Sequence, residues 1–252
     1  MLTEKLTPNQ IGAIDPNELS KWTDAQLSSL SPEQVSGLTQ VQFKALSALQ
    51  IKQLNAAGLS TTQLGYVDKA GKTVLSDLTT AQIGVLNALD KLTDSQLGHL
   101  YPHQVLGLTR VQFKVLSALQ IKQLDVEKLS TTQLGYVDKA GKTVLSDLTA
   151  TQVGALNVLN KLTDSQLSSL SPEQVSGVAE YQFNLLSALQ IKQLNAAGLS
   201  LTQLGYLDKD GRAVVSDLTA TQVGALNPMR KIYDTSIAKG RYVYIRKNVG
   251  AN

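Results

Sequence analysis

The sequence of 252 residues contains no cysteine, and only 5% of its residues are aromatic and 17% charged. Without cysteine, the chain forms no disulfides and no thiolate metal site. No apolar run approaches the roughly 18 residues that a membrane-spanning helix needs, and the N-terminus lacks the apolar segment of a signal peptide. The hydrophobic fraction of 42% is close to that of globular proteins, so we expect a folded chain without a membrane span.

Positive charge is concentrated in residues 229–252, which carry six basic residues against the single Asp234, although the whole chain has a net charge of only +3. Tyrosines interleave with the basic residues there, as in surfaces that bind phosphate groups. The candidate nucleic-acid- or anion-binding residues are Arg230, Lys231, Lys239, Arg241, Arg246 and Lys247. Alternating residues in 240–248 predict an edge strand or hairpin, which favours a polar terminal cap.

The body of the chain consists of three copies of a 70-residue repeat. Residues 59–79 recur unchanged at 129–149 and return with substitutions at 199–219. The predicted organisation is an N-terminal cap of 1–21, super-repeats at 22–91, 92–161 and 162–228, and a basic cap or tail at 229–252.

Each copy contains tandem eight-residue units, here called octads, of which LSPEQVSG at 30–37 is an example. Ser31 followed three residues later by Gln34 forms a capping box, which starts a helix. Leu30 and Val35 occupy the two positions of a hydrophobic staple around that box. Prolines follow the cap directly in several octads, at the first helical position that proline favours. Each octad therefore predicts one short helix of about five or six residues.

A single long helix through the octads is excluded by its geometry. Eight residues at 100° each leave a drift of about 80° per octad, so the apolar stripe would circle the helix. A β-solenoid would need more β-branched residues and alternation. Because an isolated helix this short is unstable in water, neighbouring helices have to stack. The predicted fold is mainly α, a solenoid of short capped helices with small β-hairpins between the octad blocks.

Two segments between the octad blocks have other patterns. Residues 65–77 have apolar residues on both sides of a turn with Asp68 and Gly71, which predicts a small β-hairpin. Residues 78–91 have apolar residues at helical spacing and predict a longer amphipathic helix.

The third copy contains the best candidates for a metal site. Asp208, Asp210 and Asp217 stand at the third, fifth and twelfth places of an EF-hand-like loop, but Tyr206 occupies the first place. We therefore favour an ordinary Asp–Gly turn over calcium binding. His99 and His103 have no third ligand in the sequence and are expected on the surface. No serine has the surroundings of a catalytic nucleophile, so no catalytic residues and no cofactor are predicted.

The segments LTTAQIGVL and LTATQVGAL resemble the LTxxQ-type tandem arrays of large bacterial surface or secreted proteins, often described as haemagglutinin- or adhesin-like. The resemblance covers most of residues 6–228 and implies a helical repeat array in an extracellular or cell-surface setting.

The expected function is a non-enzymatic α-helical repeat scaffold that contacts a protein or glycan, or a spacer. One alternative is a nucleic-acid-binding repeat protein that uses the basic tail. Another is a calcium-responsive module at the turns that contain Asp68, Asp138 and Asp208.

Overall fold

The structure is a computed structural model that describes residues 6–87 and 89–226, together with two short strand segments at 233–234 and 243–244. The described part is mainly helical, with 23 α-helices of four to six residues each. The chain divides into two compact units, one formed by 1–128 and 137–141 and the other by 129–136 and 142–252. None of the helices in the described part has the length and apolar character that a bilayer crossing requires.

The first unit contains thirteen of these helices. They are α1 (Pro8–Gly12), α2 (Pro16–Leu19), α3 (Asp24–Ser28), α4 (Pro32–Ser36), α5 (Gln40–Ala45), α6 (Ala48–Ile51), α7 (Thr61–Leu64), α8 (Val74–Asp77), α9 (Thr80–Gly84), α10 (Asp94–Gly98), α11 (Pro102–Val105), α12 (Arg110–Val115) and α13 (Ala118–Ile121). The described residues of this unit also form two 3₁₀ turns, at Ala56–Gly58 and Leu89–Lys91.

The second unit contains the other ten helices. They are α14 (Thr131–Leu134), α15 (Val144–Asp147), α16 (Ala150–Ala155), α17 (Asp164–Ser168), α18 (Pro172–Ser176), α19 (Glu180–Phe183), α20 (Ala188–Ile191), α21 (Leu201–Leu204), α22 (Val214–Asp217) and α23 (Ala220–Ala225). It also has 3₁₀ turns at Leu159–Lys161 and Ala196–Gly198. Strands β1 (Tyr233–Asp234) and β2 (Val243–Tyr244) pair antiparallel.

Most of the helices begin at capping boxes, as the sequence predicts. At α4 the Ser31 hydroxyl accepts the Gln34 N–H at 3.2 Å, and the Ser31 N–H donates to Gln34 Oε1 at 2.9 Å. Pro32 occupies the first helical position, where its missing N–H costs nothing. The staple residues Leu30 and Val35 are both buried, so the box also fixes which face of the helix meets the core.

Stacking follows a spacing of about three octads. In the first unit five helices and turns pack each on the next, and they begin at Pro8, Pro32, Ala56, Thr80 and Pro102. In the second unit four helices and turns pack in the same way, and they begin at Ala150, Pro172, Ala196 and Ala220. We call each stretch of chain from one of these starting points to the next a layer.

The core lies between the helices of successive layers. Phe43 and Phe113 in the first unit and Phe183 in the second are fully buried, one per repeat. Each buried side chain of this size stabilises the fold by roughly 1.5–3 kcal/mol before entropy is subtracted. A four- to six-residue helix cannot supply that by itself, so its stability depends on the layers on either side.

The predicted hairpin at 65–77 is reduced in the first unit to one antiparallel bridge between Val67 and Thr73. Gly71 has a φ of +80°, as the turn prediction requires. Beyond Thr73 the chain becomes helical, because the Thr73 hydroxyl accepts the Ser76 N–H and caps α8.

The longer helix predicted over 78–91 is wrong. Helix α9 ends at Gly84, and the next regular element is the 3₁₀ turn Leu89–Lys91. The chain bends at Val85 so that Leu86 is buried and the Asn87 amide donates to the carbonyl of Ala57 at 3.2 Å. Contact with the preceding layer therefore outweighs the helical pattern of the segment.

Candidate functional site

The octad glutamines have a second hydrogen-bonding role besides the capping box. Gln42 Oε1 accepts the Thr39 N–H at 2.8 Å, while its Nε2 donates to the carbonyls of Ile11 at 2.8 Å and Ile14 at 2.9 Å. These carbonyls lie in the preceding layer. Gln42 is completely buried, so both ends of its amide are satisfied inside the protein.

The same bridge recurs along both units, to carbonyls 25–35 residues earlier in the chain. In the first unit it is made by Gln34, Gln42, Gln50, Gln63, Gln82, Gln96, Gln104, Gln112 and Gln120. In the second unit it is made by Gln166, Gln174, Gln182, Gln190, Gln203 and Gln222. Glutamate could form the capping box but could not donate this bridge, which explains the choice of glutamine. Glu18 stands at one octad position and instead pairs with Lys21 at 2.8 Å.

The three predicted metal candidates surround one arginine. Arg212 Nη2 lies 3.3 Å from both Asp208 Oδ2 and Asp210 Oδ2, and its Nε lies 3.7 Å from Asp217 Oδ1. Asp208 Oδ1 also accepts the backbone N–H groups of Asp210 and Arg212 at 2.9 and 2.7 Å. Within the described residues, no group of three or more acidic or histidine side chains is arranged to hold a metal ion.

These contacts shift the two buried carboxyls in opposite directions. Burial acts to raise the pKa of Asp208, but the N–H groups of Arg212 and Asp210 and the Arg212 guanidinium outweigh it, and the pKa is lowered. The pKa of Asp217 is raised, first by burial and then by the charge of Asp208. The geometry is that of a turn closed by Asp208 and neutralised by Arg212.

The acidic turn of the first copy keeps the two buried carboxyls, as Asp68 and Asp77, but has Ala70 in place of Asp210 and Lys72 in place of Arg212. Asp68 Oδ1 accepts the N–H groups of Ala70 and Lys72, each at 2.8 Å. Asp77 Oδ2 is buried without a hydrogen-bond partner. Burial, followed by the nearby charge of Asp68, raises the pKa of Asp77 to about 6. Asp77 is therefore a strained group in an otherwise satisfied turn.

Both histidines are exposed, as expected from the sequence. The Nδ1 of His99 contacts the carbonyl oxygen of Ser95 one turn earlier on α10. The ring of His103 lies nearly parallel to that of Tyr101, with 10° between the planes and 5.7 Å between the centroids. The six basic candidates in 229–252 lie outside the described residues, so anion binding by the tail stays a prediction.

Sequence reasoning missed a cleft of about 340 Å³ in the first unit. Part of its lining comes from the second copy, at Gly98, His99, Tyr101 and Asp125. Another part comes from the acidic turn of the first copy, including Lys72. The signal that could have revealed it lies in the repeats. The second copy departs from residues shared by the first and third copies at only nine positions, namely 98, 99, 101, 103, 106, 125, 126, 127 and 128.

Two of these departures remove features that the first and third copies share, namely a helix cap and a glycine between layers. Tyr101 stands where Ser31 and Ser171 cap their helices, and it provides no side-chain cap. Losing such a hydroxyl costs about 1 kcal/mol. The gain is a half-exposed aromatic ring at the cleft.

The other departure replaces a glycine that lies close to the preceding layer in the first and third copies. A Cβ on Gly58 would lie 2.0 Å from the carbonyl oxygen of Pro32, and one on Gly198 would lie 2.0 Å from that of Pro172. Lys128 holds the corresponding place in the second copy, and its segment lacks the 3₁₀ turn that the other two copies form there. Its side chain cannot fit such a close backbone approach, which explains why a cleft lies beside Asp125.

The sequence matches no protein-family model, no curated protein and no solved structure.

Proposed function

We propose that this chain is a non-enzymatic solenoid scaffold that carries a binding surface for a protein or glycan partner. The octads would form the coils of the solenoid, and the cleft at Tyr101 would form the variable part of its surface. The resemblance to LTxxQ-type arrays points to the same class of protein and to a bacterial surface or secreted setting.

The observation that carries this proposal is the bridge that most octad glutamines make to the preceding layer. The octad glutamines hold neighbouring layers together, as Gln42 does with Ile11 and Ile14. Repeat proteins are stabilised by such nearest-neighbour contacts and use their surface positions for recognition. Four of the nine departures of the second copy line one surface cleft, which fits that division of roles.

Two deletions of one whole repeat each test the proposal, because both leave the same junction sequence. Removing 80–149 takes away the second copy's side of the cleft, whereas removing 150–219 keeps the whole cleft. Layers should stack again across either junction, so we expect both variants to remain helical and to unfold cooperatively in circular dichroism. On a panel of immobilised glycans and surface proteins, only the variant that lacks 150–219 should retain the binding of the full chain.

A deletion of half a repeat, 80–114, is the matched control. It is not a whole number of layers, so the remaining octads lose their stacking register, and we expect an unfolded chain. A half-repeat deletion as stable as the whole-repeat deletions would contradict the solenoid. Equal binding by both whole-repeat variants would place the binding surface elsewhere.

A further inference from the structure

We propose that the cleft beside Tyr101 binds a neutral saccharide whose ring packs on the Tyr101 side chain. The inference rests on the proposed scaffold function and names the class of its ligand. It would make the second copy the recognition module, and the first and third copies its structural support.

Four of the nine positions at which the second copy departs from the other two lie in the lining of this cleft. Gly98, His99, Tyr101 and Asp125 line it, and all four differ from residues that the first and third copies share. His103, a fifth such position, stacks on Tyr101. The remaining lining comes from the acidic turn, whose sequence is identical in the first two copies. Substitution has therefore changed the part of the lining that comes from the second copy, whereas the part that comes from the acidic turn is unchanged.

The dimensions of the cleft suit a small ligand. Its volume of about 340 Å³ lies near the lower end of the range for small-molecule sites, which leaves room for one or two sugar rings. Tyr101 is 47% exposed, and its near-parallel alignment with His103 fixes the direction of its ring face. An exposed aromatic face of fixed direction packs against the C–H face of a pyranose, and the phenol end provides a hydrogen-bonding group.

The charges of the lining favour a neutral ligand that is rich in hydroxyl groups. Lys72 supplies a donor, and Asp125 supplies an acceptor. Asp125 Oδ1 accepts the Glu127 N–H at 3.2 Å, which fixes the direction of this carboxylate. The two charges cancel, so the lining has no excess of positive charge to select an anion, while sugar hydroxyls can both donate to Asp125 and accept from Lys72.

A peptide fits the same cleft less well. An extended peptide is usually held by an exposed strand edge, and an amphipathic helix needs a long apolar groove. The lining contains no strand, and its two apolar residues are Leu100, which is almost completely buried, and Pro102, which is half-buried. The observations therefore favour a saccharide.

The test is titration of the full chain with N,N′-diacetylchitobiose, lactose and glucuronic acid at pH 7.5, followed by protein NMR. We expect one of the two neutral disaccharides to bind with a millimolar dissociation constant and to shift the amide signals of residues around Tyr101. Glucuronic acid should bind no more tightly than the neutral sugars. Tyr101→Ser should weaken binding at least about tenfold. That change restores the cap found at Ser31 and Ser171, so lost binding would not come from lost folding.

Ser171→Tyr is the matched control, since it places the same ring on the equivalent helix of the third copy. Gly198 keeps the layers closed there, so we expect no added binding and unchanged affinity at the second copy. Asp125→Asn should weaken binding severalfold. Absence of binding by both neutral disaccharides at 50 millimolar, on the order of the weakest specific interactions, would overturn the saccharide assignment. So would binding that Tyr101→Ser leaves intact. If a peptide library instead bound in a Tyr101-dependent way, the saccharide would be wrong and the scaffold function would stand.

Discussion

The layer contacts and the acidic turns solve the burial of polar groups in opposite ways. Gln42 is fully buried, and both ends of its neutral amide have backbone partners. Asp77 is also buried, but Oδ2 has no partner, and the carboxylate of Asp68 is close enough to raise its pKa. A neutral amide with complete hydrogen bonding can be buried at little cost, whereas an unpaired carboxylate cannot. The hydrogen-bonded glutamines between layers should therefore stabilise the fold, whereas the charged carboxylate of Asp77 should lower the free energy of unfolding at neutral pH.

The largest loss of stability is expected when a buried glutamine of a layer contact is replaced by a carboxylate like those of the acidic turns. Gln42→Glu keeps the acceptor for the Thr39 N–H but replaces the donor with a carboxylate oxygen that faces the carbonyls of Ile11 and Ile14. We expect a loss of about 3–5 kcal/mol in the free energy of unfolding, because a buried charge is left uncompensated. Chemical denaturation at pH 7.5 measures it.

Gln26→Glu is the control for this substitution. Gln26 Oε1 accepts the Thr23 N–H at 2.9 Å, and Gln26 makes no bridge to another layer within the described residues. A glutamate satisfies the capping box equally well, so the change should stay within about 0.5 kcal/mol. Equal losses in the two variants would show that the glutamines act only as caps.

A smaller effect is expected from forcing two layers apart. The Cβ of Gly58→Ala would lie 2.0 Å from the carbonyl oxygen of Pro32, so the turn has to shift away from α4. Overpacking of this kind costs about 2–3 kcal/mol. The control is Gly224→Ala in α23, where an added Cβ meets nothing within 4 Å and should stabilise the helix by up to about 1 kcal/mol. A thermal unfolding comparison in which Gly58→Ala is as stable as Gly224→Ala would disprove the close approach.

The local part of the fold could be predicted from the sequence, because it depends on residues three or four apart. Ser31 and Gln34 determine where α4 begins through bonds within the octad. The second partner of each bridging glutamine could not be predicted, since it depends on the exact length of each layer, which varies along the chain. The prediction of a helix over 78–91 was wrong for the same reason. Asn87 bonds to the preceding layer and Leu86 is buried, and these contacts outweigh the helical spacing of the apolar residues.

The cleft was missed because its signal appears only when the three copies are compared with one another. His99 and His103 attracted attention as titratable residues, while Tyr101 and Asp125 did not. Tyr101 and Asp125 stand three octads apart in the chain, and this spacing is what brings them to one cleft. Without the layer length, nothing in the sequence connects an unusual cap residue at 101 with an unusual turn residue at 125.

The smallest change in stability is expected when the buried carboxylate of a turn is replaced by an amide like that of the layer glutamines. The pKa of Asp77 is raised from 3.8 to about 6, so the folded chain holds this proton more tightly than the unfolded chain does. Its contribution to stability is complete below about pH 4 and is lost as the pH rises through about 6. Asp77→Asn keeps the shape and removes the charge, so it should stabilise the protein at pH 7.5 by about 1 kcal/mol, a value reduced for partial solvent screening.

The measurement is the difference in unfolding free energy between Asp77→Asn and the unchanged chain from pH 4 to pH 8. The difference should grow as the pH rises through 6 and then level off, whatever other groups titrate in both proteins. Asp90→Asn, at an exposed aspartate, should give a difference close to zero throughout. A pH-independent gain at Asp77 would mean that the substitution acts through packing or helix propensity, and that the carboxyl of Asp77 carries no unfavourable charge in the turn.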